Sequence, residues 1–208
     1  RVKAISFTGG VPAGREIYQA AAKYLKPVEL ELGGKNPQIV MPDANLDLAL
    51  EGVLFGAFGT AGQRCTATSR LILHSDVYDK FLGILVDRLE SFSVGNPLDP
   101  ATGMGPVVDQ SAGEGIMEYI EVGKGEAKLR YGGERLTGGE YDQGFYIQPT
   151  IFETEHGTRI SCEEIFGPVL SVIKVGSYEE AVRVANDVEY GLSSSIYTKD
   201  VNLAFRAI

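Results

Sequence analysis

The chain has 208 residues, 44% of them hydrophobic, and a formal net charge of −9. A chain this long buries about 70% of its unfolded surface and needs no disulfide staple to fold. The acidic balance and the lack of any basic run argue against nucleic acid, and no apolar stretch reaches the roughly 18 residues of a membrane span.

In chain order, residues 4–10 (AISFTGG) form a β-rich run closed by two glycines. Residues 11–25 (VPAGREIYQAAAKYL) predict a helix. Pro12 falls near the first turn, where its missing N–H is harmless, and Ile17, Ala20, Ala21, Tyr24 and Leu25 share a face. VELELGG (28–34) alternates like a strand and stops at two glycines, and PQIVM (37–41) is a second short strand. Residues 46–58 predict one apolar helix, and SRLILH (69–74) a strand. Val77, Phe81, Leu85 and Leu89, four apart, predict a helix, which a Gly- and Pro-rich loop follows at 94–109. A helix over 110–123 and strands near 128–131 and 146–152 come next, then a polar loop (HGTRISCEEIFGP) and a buried strand, VLSVIKV. Ser177 and Glu180 form an S-x-x-E capping box for a helix over 177–186. GLSSSIYT predicts a last strand, and Asp200 a cap for a terminal helix. Alternating strands and helices predict an α/β fold with a mainly parallel sheet.

Both ends read as cut. The chain starts at Arg1 without Met and ends at AFRAI inside a helical pattern, as expected of a fragment of a longer protein. Cys65, Cys162, His74 and His156 show no metal-site spacing, so no metal and no disulfide are expected, and a reducing, cytoplasmic setting is.

Three residues stand out chemically. Cys65 lies in the small, polar stretch TAGQRCTATSR (60–70), where Gly62 permits a turn whose N–H groups would favour a thiolate. Composition leaves both readings open, an inert buried thiol or a nucleophile. Glu31 alternates away from Val28, Leu30 and Leu32 at the carboxyl end of a strand. Ligands of parallel sheets bind at such ends, so Glu31 is either a general base or a solvated strand-face acid. Glu164 precedes Ile-Phe-Gly-Pro, either as a ligand of a sugar hydroxyl or as one of a loop acid pair. FTGG at 7–10, feeding a helix, is a possible phosphate cradle but not G-x-G-x-x-G.

Together FTGG (7–10), LELGGKNP (30–37), GNPLD (95–99), GQRC (62–65) and EEIFGPV (163–169) resemble the aldehyde dehydrogenase superfamily over essentially the whole chain. The resemblance implies a three-layer α/β sandwich with a mainly parallel sheet. It implies that residues 1–32 end a dinucleotide-binding domain and that 33–208 form most of a catalytic domain, incomplete at its C-terminus. It makes Cys65 the nucleophile and Glu31 the general base, with Gly9 and Gly10 at the pyrophosphate, Glu164 at the nicotinamide-side ribose, and Leu32 and Phe166 also facing the cofactor. Gly10 departs from the pattern, since many members carry serine there. The implied cofactor is NAD or NADP, the substrate a small-molecule aldehyde, and the parent a homodimer or homotetramer. The family's upstream asparagine and lysine are not among these residues, so the fragment alone is expected to be inactive. GQRCTATSR is also similar to semialdehyde-oxidising members. The rival readings are a CoA-acylating relative, a non-catalytic structural relative and a cofactor-free ester hydrolase.

Overall fold

The computed structural model describes residues 2–207. Strand β1 (Ile5–Thr8), helix α1 (Val11–Ala22) and strand β2 (Val28–Glu31) make a βαβ unit, with β1 and β2 parallel and Thr8 opposite Glu31. The helix stops three residues before the predicted end. The Tyr24, Leu25 and Lys26 amides fold back onto the Ala21 and Ala22 carbonyls, Leu25 takes φ 52°, and Pro27 bars continuation. Leu25 is therefore 92% exposed instead of lying on a packed face.

The strands that follow are β3 (Asn36–Val40), β4 (Thr68–His74), β5 (Lys128–Tyr131), β6 (Arg135–Leu136), β7 (Tyr146–Ile147), β8 (Thr150–Glu153), β9 (Val169–Val175) and β10 (Ser195–Tyr197). The helices are α2 (Leu46–Val53), α3 (Ser75–Glu90), α4 (Gln110–Glu126), α5 (Arg159–Cys162), α6 (Tyr178–Asn186) and α7 (Val201–Arg206). Six strands form the main sheet, in the order β10-β3-β4-β9-β8-β5, and only the β5–β8 pair is antiparallel. Alternation along the central strands sorts their side chains into two cores. Val40, Leu71, Leu73, Leu170 and Val172 join Val53 of α2, Phe81 and Leu85 of α3 and Ile120 of α4. Ile39, Ile72 and Ile173 face the other way, onto Tyr178, Ala181 and Val184 of α6, with Leu203 of α7 packed against them. Helices thus cover both faces, which gives three layers and explains why β4 and β9 read as nearly continuous apolar runs.

Side-chain caps start five helices: Asn45 for α2, His74 for α3, Asp109 for α4, Ser177 for α6 and Asp200 for α7. The capping box of α6 is displaced by one residue, because the Glu180 carboxylate accepts the Gly176 N–H.

Four sequence expectations are revised. The apolar stretch 46–58 is not one helix: α2 gives way to a π-helical turn over Leu54–Phe58, whose Phe55 and Gly56 carbonyls accept bonds from Arg64. The 146–152 stretch splits in two. Pro149 lacks an N–H, so β7 pairs with β6 in a small antiparallel ladder while β8 joins the main sheet. The polar loop 156–168 contains α5, and the strand in GLSSSIYT covers only Ser195–Tyr197. Among the described residues no helix is long and apolar enough to cross a membrane, and no group of three or more His, Cys, Asp or Glu is placed to hold a metal ion.

Candidate active site

The site is assembled where three loops meet: one leaves the carboxyl end of β2, and all three lead into the amino ends of β3, β4 and β9. The first, residues 32–36, leaves β2 and enters β3. The second, 59–67, joins the π turn to β4. The third, 163–168, joins α5 to β9.

Asn36 fastens the second loop to the first. Its Nδ2 donates to the Cys65 carbonyl at 2.7 Å and to the Ala67 carbonyl at 2.9 Å, and its Oδ1 accepts the Ser193 N–H at 3.1 Å. Asn36 is buried, and its two donated bonds, the one to Ala67 fully buried, hold the main chain around Cys65. Gly34 makes the approach possible: a Cβ there would come within 2.7 Å of the Cys65 carbonyl oxygen. Cys65 itself is half-buried and free.

Gly62 joins the second loop to the third. It has φ 66°, and a Cβ would collide with the Gly167 carbonyl oxygen. Only glycine satisfies both demands. The loop is further tied at Gln63, whose Oε1 accepts the Val108 N–H at 2.9 Å, and at Arg64, whose guanidinium lies 4.8 Å from the Phe55 ring centroid.

Glu164 closes the triangle. Its Oε1 accepts the Gly34 N–H at 3.0 Å, and its carboxylate fills the space a Gly33 side chain would need. Phe166 stands 44% exposed with φ 56°. Leu32 is half-buried, leading from β2 into the corner.

Glu31, Gly9 and Gly10 belong to the βαβ unit. Glu31 is exposed at the end of β2, and its carbonyl accepts the Gly9 N–H at 3.0 Å. Gly10 is the N-cap of α1 and supplies no side-chain cap, so the first-turn N–H groups are left for a ligand. The structure therefore brings Cys65, Glu164 and Phe166 into one cluster of loops. Glu31 connects to that cluster through residues 32–34, and Gly9 and Gly10 lie beside Glu31 at the β1–β2 ends.

Three residues to which the sequence reading gave no role organise the site. Asn36 is visible in the sequence as a lone amide between Lys35 and Pro37, although its partners lie 29 to 157 positions away. Arg70 interrupts an otherwise apolar strand. It is fully buried and donates to the Lys35, Val184 and Ala185 carbonyls, each at 2.8 Å. Two of those carbonyls end α6, so Arg70 caps that helix from within the sheet. Burial pushes its guanidinium down to about 10, partly offset by Cys162 and Asp187. Lys35, 1% exposed, is pushed down to about 7 by burial and by the Arg70 charge. Cys162 lies within electrostatic range of both cations.

All 208 residues match the family described as Aldehyde dehydrogenase family. Alpha-ketoglutaric semialdehyde dehydrogenase of Bacillus subtilis (strain 168) is 46% identical over 203 residues, covering 96% of this chain and 41% of that protein. The crystal structure of gamma-glutamyl-gamma-aminobutyraldehyde dehydrogenase from Burkholderia cenocepacia J2315 is 45% identical, with a TM-score of 0.94 over 99% of this chain and 42% of the other. The structure of 1-pyrroline-5-carboxylate dehydrogenase from Thermus with bound NAD is 41% identical, with a TM-score of 0.91 over 98% of this chain and 40% of the other. The chain thus spans about two fifths of the length of these relatives. On the whole-length match and the shared fold, the chain belongs to the aldehyde dehydrogenase family.

Proposed function

We propose that the chain carries the nucleophile segment of an NAD(P)+-dependent aldehyde dehydrogenase, with Cys65 as the attacking thiol. The observation that carries this reading is the three-bond Asn36 clamp, which fixes the main chain of a half-buried free cysteine where three loops converge. Residues 1–32 are read as the end of a cofactor-binding domain and 33–208 as most of the catalytic domain. The parent is read as a cytoplasmic homodimer or homotetramer acting on a small aldehyde.

The residues present suit a dinucleotide. The N-terminus of α1 starts at Gly10 without a side-chain cap and offers its N–H groups to a pyrophosphate, with Gly9 beside it as a side-chain-free approach. Glu164 is a carboxylate able to exchange the Gly34 N–H for a ribose hydroxyl, and the exposed Phe166 ring and Leu32 complete an apolar rim. Bound nicotinamide would supply a hydride acceptor.

In this reading the Cys65 thiolate attacks the aldehyde carbonyl carbon and forms a thiohemiacetal, and loss of hydride from that carbon leaves a thioester on Cys65. The Cys65 N–H is one donor to the oxyanion. Glu31 takes a proton from water, the hydroxide oxygen attacks the thioester carbon, and the C–S bond breaks to release the carboxylic acid.

Glu31→Gln in the parent enzyme separates these steps. An amide cannot take water's proton, so rapid mixing should show a burst of about one reduced nicotinamide per site followed by slow turnover. Loss of the burst along with the steady rate would move Glu31 to an earlier step and overturn its assignment as the water-activating base.

A further inference from the structure

Arg64 stands immediately before Cys65 and carries a charge that the proposed chemistry does not use. The chain holds 28 acidic against 19 basic side chains, and Arg88, Arg159, Arg183 and Arg206 each pair with a glutamate. Arg64 pairs with no acid among the described residues. Its Nη2 reaches only the Phe55 and Gly56 carbonyls, at 3.3 and 3.4 Å. Such bonds are usually about 3 Å long, so both are weak. Nε is buried without a partner. Nη1 also makes no hydrogen bond among the described residues, but it retains solvent-accessible surface.

The guanidinium is nevertheless held in place. It lies over the Phe55 ring, 4.8 Å from its centroid, and Phe55 is 64% exposed. Glycine at 59 leaves room for that ring, since a Cβ there would come within 3.0 Å of Phe55 Cδ2. Stacking on an aromatic face fixes a guanidinium while leaving its N–H donors free at the rim. On its inner side Arg64 borders the same small gap as Gly34, Glu164 and Phe166. Glu164, the acid bordering that gap, accepts the Gly34 N–H instead. An open aromatic surface and an unpaired cation therefore stand side by side in the nucleophile segment.

We infer that Arg64 sets the substrate class: it receives the carboxylate of an aldehyde that is also an acid, with the Phe55 ring packing on the connecting carbon chain. This rests on the reading of Cys65 as the nucleophile. The exposed end of the guanidinium, Nη1 together with Nη2 released from its long bonds, offers the two parallel donors that a carboxylate accepts. A chain with a net charge of −9 repels an anionic substrate, so a local cation is needed to bring such an aldehyde to the thiol.

The probes are 4-oxobutanoate and butanal, four-carbon aldehydes that differ in a terminal carboxylate, oxidised by the parent enzyme with NAD(P)+. The wild-type kcat/KM for 4-oxobutanoate exceeds that for butanal at least tenfold. Added salt narrows the gap, a readout that needs no substitution. In Arg64→Met the thioether still packs on the Phe55 ring but the charge is gone. Its kcat/KM for 4-oxobutanoate falls about 10- to 100-fold further than that for butanal, and the extra loss lies in KM. Arg64→Lys keeps a charge without the fork and recovers part of the difference.

Equal losses for both aldehydes overturn the proposal and make Arg64 a support of the cysteine loop. A wild type without the preference also overturns it. So does a preference that survives in both variants, because the carboxylate is then received elsewhere in the longer protein. Failure of the dehydrogenase reading looks different: the wild type leaves both aldehydes unoxidised and Cys65 unmodified, and this proposal falls with it.

Discussion

Arg70→Ala should destabilise the fold by about 3–5 kcal/mol, the largest single-residue effect expected outside the hydrophobic core. The guanidinium is fully buried and satisfies three carbonyls, one of which belongs to Lys35 beside the glycine corner. Removing it leaves all three unsatisfied and opens a cavity under α6, because alanine keeps none of the apolar stem. Arg70→Met retains the stem and should recover part of the loss. Urea unfolding of the three chains measures this. A loss below about 1 kcal/mol for alanine would mean that water replaces the side chain freely and that α6 does not depend on it.

Asn36→Ala should lower kcat of the parent enzyme by about a hundredfold while changing KM little. The amide touches no atom of the proposed substrate. It acts by holding the Cys65 and Ala67 carbonyls, so its loss lets the thiol drift from the line of attack. Two unpaired carbonyls and one unpaired N–H also cost about 2–4 kcal/mol of stability. Asn36→Asp gives the discriminating result. It keeps an acceptor for the Ser193 N–H but cannot make the two donations, so it should be as slow as alanine. An aspartate variant at full rate would place the function of Asn36 in the Ser193 contact instead.

These two residues show where the sequence is silent. Strand β9 and helix α3 announce themselves, because VLSVIKV is apolar on both faces and the apolar residues of α3 recur every four positions. Cys65, Glu31 and Glu164 stand in short local motifs, so their chemistry is legible in the order of residues alone. Arg70 stands outside these motifs, and Asn36, although inside LELGGKNP, is not marked there as a clamp. Their partners lie up to 157 positions away, and nothing local distinguishes a buried arginine that caps a distant helix from a surface one. Local misreadings have local causes. The helix over 46–58 fails because Gly56 leaves no side chain between the backbone and Thr68, letting the chain widen into a π turn ahead of the cysteine loop. The 146–152 strand fails at Pro149, whose effect is visible in the sequence once its missing N–H is counted. Leu25 fits the apolar spacing of α1, yet it lies past the point where the Lys26 amide closes the helix on the Ala21 carbonyl.

The central claim is that Cys65 forms the bond to the substrate. The direct measurement is peptide mass analysis of the Glu31→Gln parent enzyme, quenched in acid within the burst after mixing with an aldehyde and NAD(P)+. Blocked release of the acyl group should leave its added mass on the peptide bearing Cys65, at about one per active site, with none on the peptide bearing Cys162. An adduct on Cys162, or a full burst with Cys65 unmodified, would contradict the account.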